Sequence, residues 1–426
     1  MSADLRPVPE HQQRVADLLA GRHPGGPSAW PSEQVALTAA RGRVLAADVV
    51  APEPLPAFDN SAMDGYAVRA ADIAGASDAS PAVLPVDGDV PAGAPVADLA
   101  PGRTLRIMTG APLPRGADAV VEVEATDGGT DEVRVSAARE VGRYVRPAGS
   151  DVQVGATVLT AGALLGPAQI GVLAALGVDE VAVRRRPRVL VCSTGSELAE
   201  HPDPAAGQIR DANGALLAAA VEEAGGQAVR VLWSADDVDA FLGLLDEAVA
   251  GGDIDLVLTS GGVSAGAYEV VKDGLGPRGI EFAKVAMQPG MPQGSGTLPH
   301  PGGDVTVVCL PGNPVSALTS FEVFVRPALR AAVGHPHPAR RVVRARLAGL
   351  DEPLTPMRGR RQLRRARLDR SAGTGAGAEP TVTPWGPPGS GFLGWFAGAD
   401  ALIDLPADGA PLAAGDLVDV WDLATG

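Results

Sequence analysis

Val305 to Ala317, VTVVCLPGNPVSA, is a short apolar run rich in β-branched residues that stops at Pro311, Gly312, Asn313 and Pro314 and then turns helical. The spacing predicts a strand, a tight turn and a helix, with Asn313 as the N-cap and Pro314 at the first helical position. Backbone N–H groups left free at such a helix start suit a phosphate or another oxyanion. The same order recurs upstream, in Arg188 to Glu197 (RVLVCSTGSE) and in Asp255 to Ser264 (DLVLTSGGVS). Each is a buried strand released into glycine and hydroxyl residues. Three strands ending in three small-residue loops predict an open parallel sheet, whose strand carboxyl ends form one crevice for a ligand. Read singly, each loop is equally an ordinary βα turn; the threefold repeat favours a site.

The text between these runs supplies the crossovers. After the strand Val189 to Cys192, Asn213 caps a helix from Ala215 to Ala224 that Gly225 and Gly226 stop. Val229 to Leu232 is a strand, Ser234 caps a helix from Asp236 to Val249, Leu256 to Leu258 is the next strand, and a helix from Ala267 to Leu275 follows. Strand and helix alternating with short connections specify a parallel sheet with right-handed crossovers. The run RRRPR, Arg184 to Arg188, precedes this domain and reads as a boundary with a solvated charge cluster.

Upstream, His11 to Ala20 and Ser32 to Arg41 read as helices, and Arg43 to Val50 as a strand. The segment FDNSAMDGYAV, Phe58 to Val68, holds Asp59 and Asp64 among turn-forming residues and serves equally as a turn or as the edge of a ligand site. Short alternating runs from Ala70 to Val145, broken by glycine and proline, predict an inserted all-β module. A strand at Thr157 to Leu159 and a helix from Pro167 to Leu176, ended by Gly177, return to the parent unit. The last ninety or so residues give strands at Arg341 to Leu350, Gln362 to Leu368, Thr381 to Thr383, Ala401 to Leu405 and Leu417 to Val420, and predict a small β-barrel. The GTGAG run at Gly373 to Gly377 neither follows a strand nor opens a helix, so it carries no dinucleotide signature.

At 426 residues the chain exceeds one core and divides into several domains. With 51 acidic against 35 basic residues, a net charge of −16 excludes nucleic acid and anionic membrane as main partners. No stretch reaches the ~18 apolar residues of a spanning helix and MSADLRPVPEHQQ is no signal peptide, so a cytoplasmic protein is expected. Cys192 and Cys309 each close an apolar strand and read as reduced core residues. Lys272 and Lys284 are the only lysines, which marks them in a chain that otherwise uses arginine.

At FDNSAMDGYAV, RIMTGAPLPRGADAVV, TGSE, TSGGVSAG and LPGNPVSA the chain resembles the molybdopterin molybdenumtransferases, the family of bacterial MoeA and the gephyrin E domain. Five motifs in one order span it from about Arg14 to the end. The resemblance implies an α/β multidomain protein of four parts. These are an elongated α+β dimerisation part at 10–56 and 146–183, an inserted β-rich domain at 57–145, a three-layer α/β/α molybdopterin-binding domain at 184–334 and a C-terminal β-barrel at 335–426. It further implies a homodimer with a shared active cleft and a molybdopterin adenylyltransferase as upstream partner. The implied reaction inserts molybdate into adenylylated molybdopterin with release of AMP, aided by Mg²⁺.

The resemblance also assigns residues. Asp59, Thr109, Asp151 and Glu197 would frame the substrate, the first three from the other subunit, and Lys284 would lie near phosphate or oxyanion. Gly261, Gly262, Ser264, Pro311, Gly312, Asn313, Pro314 and Ser316 would form the binding loops, with Ser316 on molybdate. Arg365 and Ser390 of the barrel resemble molybdate-site positions, and Asp236 and Glu269 would hold the metal. Two departures stand out. Gly266, Ala267, Tyr268 and Glu269 replace a GDYD-like acid pair, and Gln288 and Met291 replace the two lysines of a KPGKP run. Met291 cannot replace a charge, although Gln288 can still donate hydrogen bonds. An active transferase, a non-catalytic pterin-binding scaffold of the same fold, and an adenylyltransferase confined to the α/β domain are the readings to separate.

Overall fold

The computed structural model describes residues 5–93, 95, 97–199, 203–233, 237–251, 253–263, 270–301, 303–371 and 379–424. The chain forms two compact units: Gln34–Arg41 with Ala47–Val183, and Met1–Glu33 with Gly42–Ala46 and Arg184–Gly426.

The second of these begins with α1 (Val8–Gly21), which buries Val8, His11, Val15 and Leu19 at helical spacing. The other unit holds a five-stranded sheet of β1 (Gly65–Val68), β2 (Ala82–Val90), β3 (Thr104–Ile107), β4 (Ala119–Glu122) and β5 (Glu132–Val135), in the order β4-β1-β3-β2-β5. Tyr66, Val68 and Val121 bury one face of it and Ala67, Val120 and Ile107 the other. This is the all-β module expected from the broken alternating runs. Two short pairings, Asn60–Ser61 with Val145–Arg146 and Val49–Val50 with Thr157–Leu159, and α2 (Pro167–Ala175) complete that unit.

The α/β part comprises β6 (Arg188–Thr194), α3 (Ala212–Glu223), β7 (Gln227–Trp233), α4 (Val238–Ala250), β8 (Leu256–Ser260), α5 (Val270–Leu275), β9 (Glu281–Lys284), β10 (Met287–Gln288), β11 (Pro292–Leu298), β12 (Val305–Leu310), α6 (Pro314–Ser320) and α7 (Arg326–Ala332). Its six-stranded sheet runs β7-β6-β8-β12-β11-β9. The β7, β6, β8 and β12 strands are parallel, as the repeat predicts, and β11 and β9 extend the sheet antiparallel. Val189, Val191, Leu258 and Val308 face α1, α3 and the Phe321–Leu329 helical stretch, whereas Leu190, Val257 and Val307 face α4 and α5. Helices cover both faces, so the strands read as continuous apolar runs. Cys192 and Cys309 flank Thr259 in one cross-strand row at the centre of the sheet. Both thiols are fully buried and free, and burial pushes each up to about 12.

The C-terminal part adds β13 (Val342–Leu347), β14 (Arg361–Asp369), β15 (Thr381–Pro384), α8 (Leu393–Ala397), β16 (Ala401–Leu405) and β17 (Leu417–Asp422). These five strands pair around a ring, β14-β15-β13-β17-β16 and back to β14, and close a barrel over Leu347, Ala366, Leu368, Val382, Ile403 and Val420. β10 joins it through a parallel pairing of Gln288 with Gln362.

Several expectations are corrected. Ser32–Ala36 is a strand and Leu37–Ala39 a 3₁₀ turn, not a helix: the Leu37 N–H bonds the Asp179 carbonyl at 2.7 Å, so a partner segment overrides the weak local helical pattern. Of the strand expected at Arg43 to Val50, Val49–Val50 alone is extended and paired as a named strand. The RRRPR run is no solvated cluster, because Arg185 Nη2 grips both oxygens of the fully buried Asp255 at 2.9 and 3.0 Å. A buried carboxylate requires such a partner. Asp237, not Ser234, accepts from the backbone to cap α4; Ser234 lies outside the described residues. No helix among the described residues is long and apolar enough to cross a membrane.

Candidate active site

Because β6, β8 and β12 are parallel neighbours, their carboxyl ends lie along one edge of the sheet. Thr194–Glu197, Gly261–Val263 and Pro311–Asn313 enclose a cavity of about 460 Å³ there. Gly261 has φ +102°, and a Cβ on it would sit 2.3 Å from the Thr194 carbonyl oxygen, so only glycine lets the β6 and β8 ends close on each other. As the spacing predicts, Asn313 caps α6 by accepting from the Val315 N–H at 3.2 Å, with Pro314 in the first turn. Ser316, 6% exposed, points its part of that turn into the cavity. Glu197 is the one carboxylate among the described lining residues. The walls therefore offer backbone and hydroxyl groups and little fixed charge, which suits a polar ligand that brings its own.

Asn213 was expected to cap α3, and it does something else. Asp211 is the cap, accepting from the Gly214 N–H at 2.7 Å. The Asn213 amide is thereby free to donate at 2.7 Å to the Ser260 hydroxyl and at 2.7 Å to the Gly312 carbonyl. Thr194 in turn donates its hydroxyl to the Ser260 carbonyl at 3.2 Å. One side chain at the start of α3 thus ties the second loop to the third. The available signal was the pair Asp211 and Asn213 two residues apart, where a helix needs one cap.

A second cavity, about 270 Å³, lies where the barrel meets β10, lined by Gln288, Pro289, Gln362, Arg364, Arg365 and Trp385 among others. Arg365 is 8% exposed and donates to the carbonyls of Gly389, at 2.9 Å, and Pro387. Burial and the neighbouring Arg364 push its guanidinium below the usual range. Ser390 directly follows this Pro387–Gly389 loop. Gln293 donates at 2.7 Å to both the Gly290 carbonyl and the Ser320 hydroxyl, fixing the turn that carries Gln288 and Met291. Val315 lines this cavity and Ser316 the strand-end one, so the start of α6 is a wall common to both.

Lys284 ends β9 opposite Pro292, which lines the strand-end cavity, but its own exposed side chain is not among the described lining residues. In the other unit, Asp59, Thr109 and Asp151 lie on neighbouring segments. The Asp59 carboxylate accepts from the Ala148 N–H at 2.7 Å, its carbonyl accepts from Leu113, and Asp151 donates its N–H to Leu55. Thr109 is committed locally: its N–H and hydroxyl donate to Asp64 at 2.6 and 2.8 Å, and these bonds hold the Asp64 carboxyl below its ordinary range. Ser264, Asp236 and Glu269 lie outside the described residues. Among the described residues no group of three or more His, Cys, Asp or Glu could hold a metal.

Comparison with known proteins matches three family descriptions along the chain. Residues 6–177 match the MoeA N-terminal region (domains I and II), 190–331 a probable molybdopterin binding domain, and 347–423 the MoeA C-terminal region (domain IV). The chain is 50% identical to molybdopterin molybdenumtransferase 2 of Mycobacterium tuberculosis, covering 98% of this chain and 100% of the relative. It is 38% identical to molybdopterin molybdenumtransferase 1 of the same organism, covering 99% of each. Two structures of the molybdopterin biosynthesis MoeA protein of Pyrococcus horikoshii align with TM-scores of 0.77, at 31% identity over 99% of each chain and at 28% over 98% of this chain and 100% of the other. Motifs, fold and full-length similarity agree, and the chain belongs to the molybdopterin molybdenumtransferase family.

Proposed function

We propose that this protein acts in molybdenum cofactor biosynthesis as a transferase that inserts molybdate into adenylylated molybdopterin and releases AMP. The observation that carries the reading is the pair of cavities sharing the start of α6. One is walled by backbone donors and hydroxyls suited to a phosphorylated pterin, the other by guanidinium groups suited to an oxyanion. Full-length similarity to named transferases supports it and does not favour the scaffold alternative.

In this reading Gly261, Gly262, Pro311, Gly312, Asn313 and Pro314 shape the phosphate-binding loops, with hydroxyl contacts from Ser264 and Ser316. Glu197, with Asp59, Thr109 and Asp151 from a second subunit, frames the substrate. Lys284 acts as a nearby cation, and Arg365 with Ser390 receives molybdate. Holding both reactants at a common wall converts an encounter between two anions into a positioned one. The proposed domain division is 10–56 with 146–183, 57–145, 184–334 and 335–426.

Mg²⁺ fits the donor chemistry: oxygen ligands are few in the strand-end cavity, and Mg²⁺ is usually held by one or two carboxylates plus substrate phosphates. Asp236 and Glu269 are its proposed ligands. When bound it would neutralise charge on the phosphate oxygens. The proposal also includes a homodimer, a cytoplasmic location and receipt of substrate from a molybdopterin adenylyltransferase.

Incubation with adenylylated molybdopterin, Mg²⁺ and molybdate is expected to release AMP in proportion to molybdate. Release no greater than in its absence rejects the transferase and leaves a binding protein. Adenylyltransferase activity that survives removal of residues 335–426 assigns the chemistry to the α/β domain alone.

A further inference from the structure

Two large rings at α8 face outward. Phe392, just before the helix, and Trp395 within it are 41% and 42% exposed, in a chain whose residues are 4% aromatic. Neighbouring exposed rings call for a reason. Both lie against the Gly386–Gly389 loop that walls the barrel-side cavity. A Cβ built on Gly386, whose φ is +76°, would sit 2.5 Å from Cδ2 and 2.6 Å from Cγ of Trp395. The indole therefore covers the place where any other residue would carry its side chain. A Cβ on Gly389, at φ +132°, would come within 3.3 Å of the Phe392 ring.

The indole is itself anchored. It meets the Trp385 ring edge to face, at 5.1 Å between centroids. The Arg367 guanidinium lies 3.4 Å over the Trp385 ring, and its Nε donates at 3.0 Å to the Gly398 carbonyl just past the end of α8. Trp385 donates its backbone N–H to the Arg365 carbonyl at 2.8 Å. Arg367, Trp385 and Trp395 thus link β14 to α8 and to the loop. Arg365 spends its terminal nitrogens on the Pro387 and Gly389 carbonyls, and its Nε is buried without a partner. The loop is held at its carbonyls by Arg365 and at its two glycines by the rings. A loop that shifted would release the guanidinium to other rotamers.

We infer that Trp395 is a positioning residue: its ring, laid on Gly386, fixes the loop that Arg365 grips and so presets the Arg365 guanidinium for its anion. Trp395 is not among the residues lining the cavity, so it acts through the loop. A side chain ordered before binding loses less freedom on binding. The inference rests on the role proposed for Arg365 in receiving molybdate.

Molybdate and AMP are titrated separately by calorimetry into full-length wild type, W395A, W395L, W395F and G386A, and KM and kcat are taken from molybdate-dependent AMP release. W395A and W395L are expected to weaken molybdate about three- to tenfold, the effect of ordering one long side chain at the moment of binding. W395F keeps a flat ring on Gly386 and is expected to stay near wild type. G386A displaces the indole without removing it and is expected to match W395A. AMP affinity is expected to hold in all four. In turnover the loss falls on KM for molybdate and leaves kcat in place, whereas a merely structural role would lower the active fraction, and with it kcat, at constant KM. The Arg365 Nε–H resonance, assigned by its loss in R365K, reads the same ordering with no ligand present: its exchange with water should quicken in W395A and G386A and not in W395F. A W395A protein with wild-type molybdate affinity and KM, or with unchanged Nε–H exchange, overturns the inference and leaves the transferase reading standing. If wild type binds molybdate but releases no AMP, the transferase reading fails, and the isotherms and exchange rates still decide the inference. A wild type that neither binds molybdate nor releases AMP overturns both.

Discussion

The strand-end cavity and the barrel-side cavity share a wall but are built from opposite materials. The first is backbone: glycine turns, a capped helix start and hydroxyls, with Glu197 its one described carboxylate. The second is side chain: two arginines and two glutamines on strands that meet only through the pairing of β10 with β14. A backbone site is fixed by local conformation and tolerates no added Cβ. A side-chain site is fixed by tertiary pairing and can exchange one cation for another. Of the two departures, Gln288 falls on the second kind of wall, where Arg365 of another strand also lies.

Substitutions at the two cavities should therefore separate. The largest effect is expected from Gly261→Ala, whose Cβ would meet the Thr194 carbonyl at 2.3 Å. Left-handed backbone strain alone costs about 1–3 kcal/mol. AMP binding by calorimetry should be lost and the melting temperature lowered. An alanine variant that binds AMP normally would break the claim that backbone geometry makes this cavity. Next, Arg365→Ala should raise KM for molybdate about ten- to hundredfold, as expected for charged hydrogen bonds of about 1.5–3 kcal/mol. AMP binding should hold; an equal loss of both would merge the two cavities into one.

Asn213→Asp probes the tie between the loops. An ionised carboxylate cannot donate to the Ser260 hydroxyl or the Gly312 carbonyl, so AMP affinity at neutral pH should fall about tenfold, equivalent to ~1.4 kcal/mol. Protonation restores one donor, so affinity should recover as pH drops through the new carboxyl's titration. A loss that does not vary with pH would assign Asn213 to packing. The smallest effect is expected in the other unit, from Thr109→Val, which removes one of two donors to Asp64. Those bonds lower the folded Asp64 pKa, so their contribution is present above the ordinary carboxyl range and lost as pH falls through the depressed folded value. The variant should titrate higher by carboxyl-carbon NMR, and an unmoved curve would assign the shift to the Thr109 N–H alone.

What was legible in the sequence follows the same division. The three strand ends, the Asn313 cap and the five barrel strands were readable because turn chemistry and periodicity are local. Ser32–Ala36 was misread because its conformation is set by a partner segment far along the chain. Asn213 was misassigned by one interaction: the residue type was right for a cap, but Asp211 already held that role. Of the antiparallel strands, β11 carries glycine and proline and β9 is four residues long, and both lack the β-branched runs that announced their parallel neighbours.

The Cys192–Thr259–Cys309 row gives the protein a built-in unfolding gauge. Burial holds both thiols well above the usual range, and only the thiolate reacts with an alkylating dye. These are the only two cysteines, so dye uptake counts openings of the central sheet and nothing else. The ageing of a stored sample, or the protection a bound nucleotide confers, can be followed with the natural chain and no engineered label.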